Sequence, residues 1–333
     1  MMGGKTDYCP EHTVSLCEGI AARGAAAGVA VTCSPTVGGP ADTVDDVVSD
    51  GEVESAVKAA DVVVIAVGGI FGHEAADRTN ISLPADQINL IKTTAATAAA
   101  AKVTVVLLVV NGDPIALDGI KDAIGTIVDV FEGGQSAGTA AAQILFGDYS
   151  PSGMMPFTTY PDDFVTKVAM SDMSMRPNAT TGSPGRTYRF YAEAPLWPFG
   201  FGLSYTTWGY TWAAVPGQQQ PAATLHGGGG GLQFTVELSN TGGTDSAKTV
   251  QLYIRQTNVA DAPRRQLAAL AKVFVPAGKT VSVPLNTSAY GNICSFCVVA
   301  EDGSSSVPVG TAYTVSIGDG NTDYFAGYTI TAV

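Results

Sequence analysis

The sequence predicts an α/β layered domain, a mostly parallel sheet with helices on both faces, followed by an all-β sandwich. Three observations predict it. Continuous β-branched runs alternate with Ala-rich helical stretches over residues 1–150. Residues 151–215 leave that rhythm for an irregular crossing segment rich in Pro, Met and aromatics. Residues 232–333 carry short strands of alternating apolar and polar residues between turn signals. Strand–helix–strand units build parallel sheets because the crossover takes a helix. Alternating strands between turns build antiparallel sandwiches.

The elements follow in chain order. Cys17 to Gly28 reads as a helix and Val29 to Cys33 as a strand, then Val53 to Ala60 as a short helix. Asp61-Val62-Val63-Val64-Ile65-Ala66-Val67 has no polar face, the mark of a strand buried on both sides. Pro84 opens a helix to about Ala101, because its missing N–H costs nothing in a first turn. Val103 to Val110 and Ile127 to Phe131 are two more buried strands, with a weakly helical Ile115 to Ile124 between them. Gln135 to Phe146 is a helix stopped by Gly147. Residues 216–231 form a linker ending in five glycines, Gly227 to Gly231. Leu232 to Leu238, Val250 to Ile254 and Tyr313 to Ile317 are sandwich strands, punctuated by Asn240-Thr241-Gly242-Gly243, Pro276-Ala277-Gly278-Lys279 and Glu301-Asp302-Gly303.

Composition narrows the function classes. The formal charge is -13, with 17 Lys+Arg against 30 Asp+Glu. Such a surface repels phosphate backbones and anionic membranes, so neither nucleic acid nor a membrane is expected as a partner. The apolar stretch Ala95 to Val110 is broken by Thr97, Lys102 and Thr104 and does not make a membrane span. Met1-Met2-Gly3-Gly4-Lys5 lacks the apolar core of a signal peptide. Three sequons, at Asn80, Asn178 and Asn286, together with the low charge content of 14%, point instead to an extracellular or secretory setting. Of five cysteines, Cys9 or Cys17 pairs with Cys33 if the compartment is oxidising. Cys294-Ser295-Phe296-Cys297 has no second CxxC and no nearby His, and His12, His73 and His226 lie far apart. No metal and no cofactor are expected.

Chemistry belongs at the carboxyl ends of parallel strands. The loop Gly68-Gly69-Ile70-Phe71-Gly72-His73-Glu74-Ala75-Ala76-Asp77-Arg78 leaves the first strong strand there. A carboxylate on such a loop can act as a general acid/base; a plain ion pair of Arg78 with Glu74 or Asp77 is the alternative. No helix follows its glycines, which argues against a dinucleotide site. Asn111-Gly112-Asp113-Pro114 reads as a turn. Glu132-Gly133-Gly134-Gln135-Ser136-Ala137-Gly138 opens a helix whose amides could take an anion or a hydroxyl-rich ligand. Close packing explains the same glycines. Gly134-Gln135-Ser136-Ala137-Gly138 matches a nucleophile elbow by letter, but the only later His is His226, in the linker.

Longer motifs carry a resemblance. Ile144-Leu145-Phe146-Gly147-Asp148-Tyr149-Ser150-Pro151-Ser152-Gly153 is the first of them. Met173-Ser174-Met175-Arg176-Pro177 and Pro184-Gly185-Arg186-Thr187-Tyr188-Arg189-Phe190-Tyr191 follow, then Pro198-Phe199-Gly200-Phe201-Gly202-Leu203-Ser204-Tyr205. With Glu74 to Arg78 they resemble the C-terminal half of family 3 glycoside hydrolases, in the β-xylosidase and α-L-arabinofuranosidase branch. The sandwich resembles that family's fibronectin type III-like domain through Asn240-Thr241-Gly242, Val250-Gln251-Leu252-Tyr253 and Pro276-Ala277-Gly278. The resemblance implies a three-part enzyme in which an N-terminal barrel carries the aspartate nucleophile and the α/β domain lends an acid/base glutamate. The barrel has no counterpart here, so the isolated chain is expected to be inactive. The family's loop commonly reads Glu-x-Glu-Gly-x-Asp-Arg. Aligned on Asp77-Arg78, Glu74 falls on the second Glu and Gly72 stands where the first would be. The resemblance thus assigns the acid/base role to Glu74, loop orientation to Arg78, and a fallback role to Asp77. It implies a β-linked pentoside or glucoside oligosaccharide as substrate and a family 3 barrel as partner. A non-catalytic carbohydrate-binding or scaffold protein of the same descent is the alternative.

Overall fold

A computed structural model describes residues 13–33, 49–68, 78–213, 232–287, 295–299, 302–325, 327 and 329–332. It divides into two compact units, Met1–Asp148 with Tyr160–Val165, and Tyr149–Thr159 with Thr166–Val333.

The first unit opens with α1 (Leu16–Ala27). Ser15 and Glu18 cap it reciprocally: the Glu18 amide donates to Ser15 Oγ and the Ser15 amide to Glu18 Oε2. α2 (Asp50–Lys58) repeats the device with Ser49 and Glu52. β1 (Val62–Gly68), α3 (Ala85–Ala101), β2 (Thr104–Val110), β3 (Thr126–Asp129) and α4 (Ala137–Leu145) follow. The three strands pair in parallel in the order β1-β2-β3. Alternate residues of β2 serve opposite faces. Val106 and Leu108 join Leu16 and Ile20 of α1 and Ala141 and Leu145 of α4. Leu107, on the other face, is also fully buried. The helices α1 and α4 touch backbone to backbone through Gly19 and Gly138. Arg23 of α1 grips Asp148 just after α4, with Nε–Oδ2 2.7 Å and Nη2–Oδ1 2.6 Å, and lies over the Phe146 ring. The guanidinium holds the Asp148 carboxyl below its usual range.

Three expectations fail in this unit. β1 and β3 are not buried on both sides: Val62 is 54% and Val64 36% exposed while Ile65 and Val67 are buried, and β3 is at most half-buried, so of the three described strands only β2 fills both faces. Val29 to Cys33 is not a strand. Gly28 ends α1 in the left-handed region, Val29 is half exposed, and no described strand pairs with the segment. A Cys17–Cys33 disulfide ties it back to α1 instead, which settles the choice between Cys9 and Cys17. Ile115 to Ile124 is not a helix but successive turns, interrupted at Gly119 with φ 69°. Its apolar periodicity is real, since Ile115, Leu117, Ile120 and Ile124 are all buried.

The second unit contains the short helices α5 (Phe164–Lys167), which straddles the division, and α6 (Thr187–Phe190). Its strands are β4 (Trp208–Trp212), β5 (Gln233–Asn240), β6 (Ser246–Gln256), β7 (Gln266–Val275), β8 (Thr280–Asn286), β9 (Val298–Val299), β10 (Ser305–Ser306), β11 (Ala312–Gly318), β12 (Asp323–Phe325) and β13 (Thr329–Thr331). One sheet runs β4-β5-β8 and another β12-β11-β6-β7, with β13 also on β11. Phe234, Val236 and Leu238 meet Leu252, Ile254, Val315 and Ile317 in the shared core.

The sandwich starts earlier than residue 232. Trp208 to Trp212 pairs antiparallel with β5, and Trp208, Tyr210 and Trp212 pack on the core. The aromatic density that marked this stretch as irregular is the apolar side of a strand. The linker 216–231 lies outside the described residues. Val250 to Ile254 also departs from alternation, being buried throughout. The crossing segment covers the second face: the Tyr188 ring meets Tyr253 edge-on at 6.0 Å, and the Gly320 amide donates to Phe199 O. Gly200 has φ 80°, and a Cβ there would stand 2.1 Å from Gln251 Oε1, so only glycine fits.

Candidate active site

The candidate site is the carboxyl edge of the parallel sheet. β1 ends on Gly68, with φ 126°. A Cβ at Gly68 would lie 1.9 Å from Val110 O, so the strand can leave the sheet here only as glycine. Gln87, in the first turn of α3, holds both polar atoms of that glycine. Its Oε1 accepts the Gly68 amide at 2.9 Å and its Nε2 donates to Gly68 O at 3.0 Å. The loop that follows, residues 69–77, lies outside the described residues, and Glu74 and Asp77 with it.

Arg78 closes the loop and is described. Its Nη1 donates to Pro114 O at 3.3 Å. Its Nε and Nη2 are buried without an acceptor among the described residues. Both ends of the candidate loop are therefore fastened to the sheet edge, Gly68 through Gln87 and Arg78 through Pro114.

The neighbouring strands add polar groups. Asn111, directly after β2, is 1% exposed, and its Nδ2 donates to Asp113 O at 2.9 Å. Its Oδ1 has no donor among the described residues. Asp129 ends β3 and accepts the Phe131 amide at 3.1 Å. Burial pushes the Asp129 carboxyl up to about 6, against the opposing effect of the Phe131 amide and the Asn111 side chain. Gln87 and Asp129 were not singled out from the sequence. The signal for Asp129 is a lone acid closing an apolar strand; Gln87 carries no signal, since a first-turn Gln is ordinary.

Other sequence candidates resolve as packing. The amide of Gly138 donates to Val14 O, and a Cβ on Gly138 would lie 1.9 Å from Ser15 O. The N-terminus of α4 is thus filled by the start of α1 and is not an anion site. Ser136 sits in the turn Gly134–Ser136 ahead of α4; His12, His73 and His226 lie outside the described residues. Cys297 is disulfide-bonded and so offers no thiolate to a metal. Among the described residues no group of three His, Cys, Asp or Glu could hold an ion, and no helix is long and apolar enough to cross a membrane. Asn80 and Asn286 are exposed, whereas Asn178 is half-buried with its Oδ1 accepting the Thr180 amide.

Comparison with known proteins gives the family. The glycosyl hydrolase family 3 C-terminal domain model aligns with residues 1–205, and the fibronectin type III-like domain model with residues 248–320. Beta-D-xylosidase 1 of Arabidopsis thaliana is 33% identical over 302 residues, covering 81% of this chain and 37% of the relative. The periplasmic beta-glucosidase of Salmonella typhimurium is 35% identical over 246 residues, 72% of this chain and 31% of the relative. A solved GH3 exo-beta-xylosidase superposes with TM-score 0.78 at 22% identity, over 97% of this chain and 42% of that one. A β-glucosidase from Erythrobacter marinus superposes with TM-score 0.74 at 28% identity, over 97% and 44%. The chain thus spans well under half the length of these relatives. A parallel sheet, a sandwich after it, and a family model matched across residues 1–205 together make this chain a member of glycosyl hydrolase family 3.

Proposed function

We propose that the chain works as the C-terminal portion of a β-xylosidase-like glycosidase, cleaving β-linked pentosides or glucosides when a family 3 barrel supplies the nucleophile. Glu74 is the acid/base, Arg78 orients its loop, and Asp77 is the fallback. The observation that carries this reading is the pinned loop: Gln87 and Arg78 fix both ends of residues 69–77 at the sheet edge. A loop so anchored can present one carboxyl group to a sugar held from the other side. Retaining hydrolysis needs a second carboxylate about 5–5.5 Å away. One protonates the leaving oxygen while the other attacks the anomeric carbon; the first, now deprotonated, then activates water. This chain supplies the first, and the barrel the second. A secretory setting fits the Cys17–Cys33 disulfide and the exposed Asn80 and Asn286.

The test is an assay on aryl β-xylosides. The isolated chain should show no turnover, and the chain joined to a family 3 β-xylosidase barrel should turn over. Turnover by the repurified isolated chain would overturn the division of labour. Silence of the joined chain, with xylo-oligosaccharide binding by the isolated chain, would favour the non-catalytic alternative.

A further inference from the structure

The second unit gathers positive charge that the chain as a whole lacks. Five of the eight arginines fall in two short stretches, 176–189 and 264–265, of a chain with formal charge -13. The fold joins the two stretches. The Arg264 amide donates to Arg189 O at 2.7 Å, and Arg264 Nη1 donates to Tyr191 O. The Arg176 and Arg189 guanidinium carbons lie 4.7 and 5.4 Å from the centre of the Phe190 ring. Arg176 Nε also donates to Asp261 O at 3.2 Å. Three guanidinium groups are thus held around residues 189–191.

Acids of the same region are engaged elsewhere. Glu193 Oε2 takes Lys167 Nζ at 2.8 Å, and Asp323 Oδ1 takes Arg265 Nη1 at 3.3 Å. Asp319 accepts the amides of Asn321 and Thr322 and the Tyr324 hydroxyl. Asp172 accepts the Ser174 amide. No ion pair among the described residues includes Arg176, Arg189 or Arg264. Like charges held this close repel one another, and the carbonyls that Arg176 and Arg264 bond do not neutralise them. Beside Arg264 opens a cleft of about 200 Å³, lined also by Tyr188, Tyr191, Pro195, Pro198 and Asn321. Ligand pockets usually hold roughly 300–1,000 Å³. This one takes a single sugar unit or acid group, not a whole oligosaccharide.

We propose that Arg176, Arg189 and Arg264, with the adjoining cleft, bind the carboxylate of an acidic sugar unit, a uronate carried on a saccharide. A carboxylate supplies the missing counter-charge, and guanidinium forks match its two oxygens in plane. The tyrosine and proline walls suit the C–H face of a sugar ring, and Asn321 brings a donor and an acceptor for hydroxyls. The net charge selects a single acid group over a polyanion. A long run of carboxylates or phosphates would meet the acidic remainder of the surface. One carboxylate feels mainly the cations within a Debye length, about 8–10 Å. That the acid is carried on a sugar rests on the functional reading above; the anion site itself does not.

The test is calorimetric titration of the full chain with two ligands. One is a xylo-oligosaccharide carrying a single uronate; the other is the same oligosaccharide with that carboxylate reduced to the alcohol. At low salt the acidic ligand should bind about tenfold more tightly or better, and added salt should shrink the difference. Arg176→Gln with Arg264→Gln should erase the preference. Arg255→Gln, the same charge change at an exposed arginine on β6, should keep it. Circular dichroism checks the fold of each variant. If the double variant does not fold, Arg176→Gln alone, at an exposed side chain, should cut the preference by about threefold. No binding of either ligand, equal affinity for both, or an equal loss from Arg255→Gln would overturn the site. Each leaves the glycosidase reading to be decided by turnover of the joined chain. Displacement of the acidic ligand by free uronate, with no xyloside turnover by the joined chain, would support the anion site and overturn the catalytic reading.

Discussion

Gly138→Ala is the sharpest test of how the α/β unit is built. Alanine is the better helix former, so propensity alone favours the change by about 1 kcal/mol. The structure opposes it. A Cβ at Gly138 would stand 1.9 Å from Ser15 O and 2.6 Å from Ser15 C, both backbone atoms, where ordinary contact begins near 3.4 Å. Relief requires α1 to back away by roughly 1.5 Å, the difference between those distances. That motion breaks the Gly138 amide bond to Val14 O, now 3.2 Å, and strains the Val14 amide bond to Gln135 O, now 2.8 Å. Overpacking costs about 1–3 kcal/mol, and each lost hydrogen bond about 1 kcal/mol. The net expectation is a loss of about 3 kcal/mol, equivalent to a urea midpoint lower by roughly 1–2 M. Gly51→Ala is the matched control. It also sits in a helix, with nothing within 4 Å of its Cβ, and should stabilise by about 0.5–1 kcal/mol. The helical far-UV signal follows the first unit. Tryptophan fluorescence follows the second, which holds Trp197, Trp208 and Trp212. A Gly138→Ala midpoint at or above the parent's would refute the backbone contact between α1 and α4.

Asp129 should make stability fall with rising pH. Its carboxyl is raised from 3.8 to about 6, so the folded state holds the proton more tightly than the unfolded chain. That contribution is complete below about 4 and is lost as pH rises through about 6, a change of about 2–3 kcal/mol at most. Asp129→Asn should flatten this region of the stability profile and stabilise the protein at pH 7–8, the Asn oxygen still accepting the Phe131 amide. An unchanged profile would contradict the placement of the carboxyl. Limited proteolysis should cut first between Pro216 and Gly231. Because β4 lies before the cut and pairs with β5 after it, the two pieces should co-elute under native conditions and separate only in denaturant. Pieces that separate without denaturant would remove β4 from the sandwich.

The first strands were legible because nothing else fits a β-branched run without a polar face, and β1 and β2 fall within a residue of the runs that foretold them. Val29 to Cys33 shows the limit of the same signal. Apolar character says that a segment prefers burial, but a strand also needs a neighbour to pair with, and pairing is not written locally. β4 failed in the opposite direction. Its alternating aromatics were masked by the Pro- and Met-rich company they keep. The edge of the sheet could be located from the glycines after β1, since a strand that must turn sharply against its neighbour needs them. Gln87 could not, because its role depends on which glycine the fold brings to it across 19 residues. Asp129 left only a faint mark, a lone acid closing an apolar strand, since its perturbed proton affinity arises from a burial that only the assembled sheet creates.

The central claim is that Glu74 donates the proton to the leaving group. Glu74→Gln in the chain joined to a family 3 β-xylosidase barrel tests it, with paired substrates of poor and of very acidic leaving groups. The account predicts a loss of about 10²–10⁴-fold in cleavage of the poor leaving group. The acidic one needs no protonation, so its glycosylation step should suffer far less, and added azide should restore turnover by replacing the water that Glu74 activates. Wild-type rates on both substrates would contradict the assignment and direct the same test to Asp77.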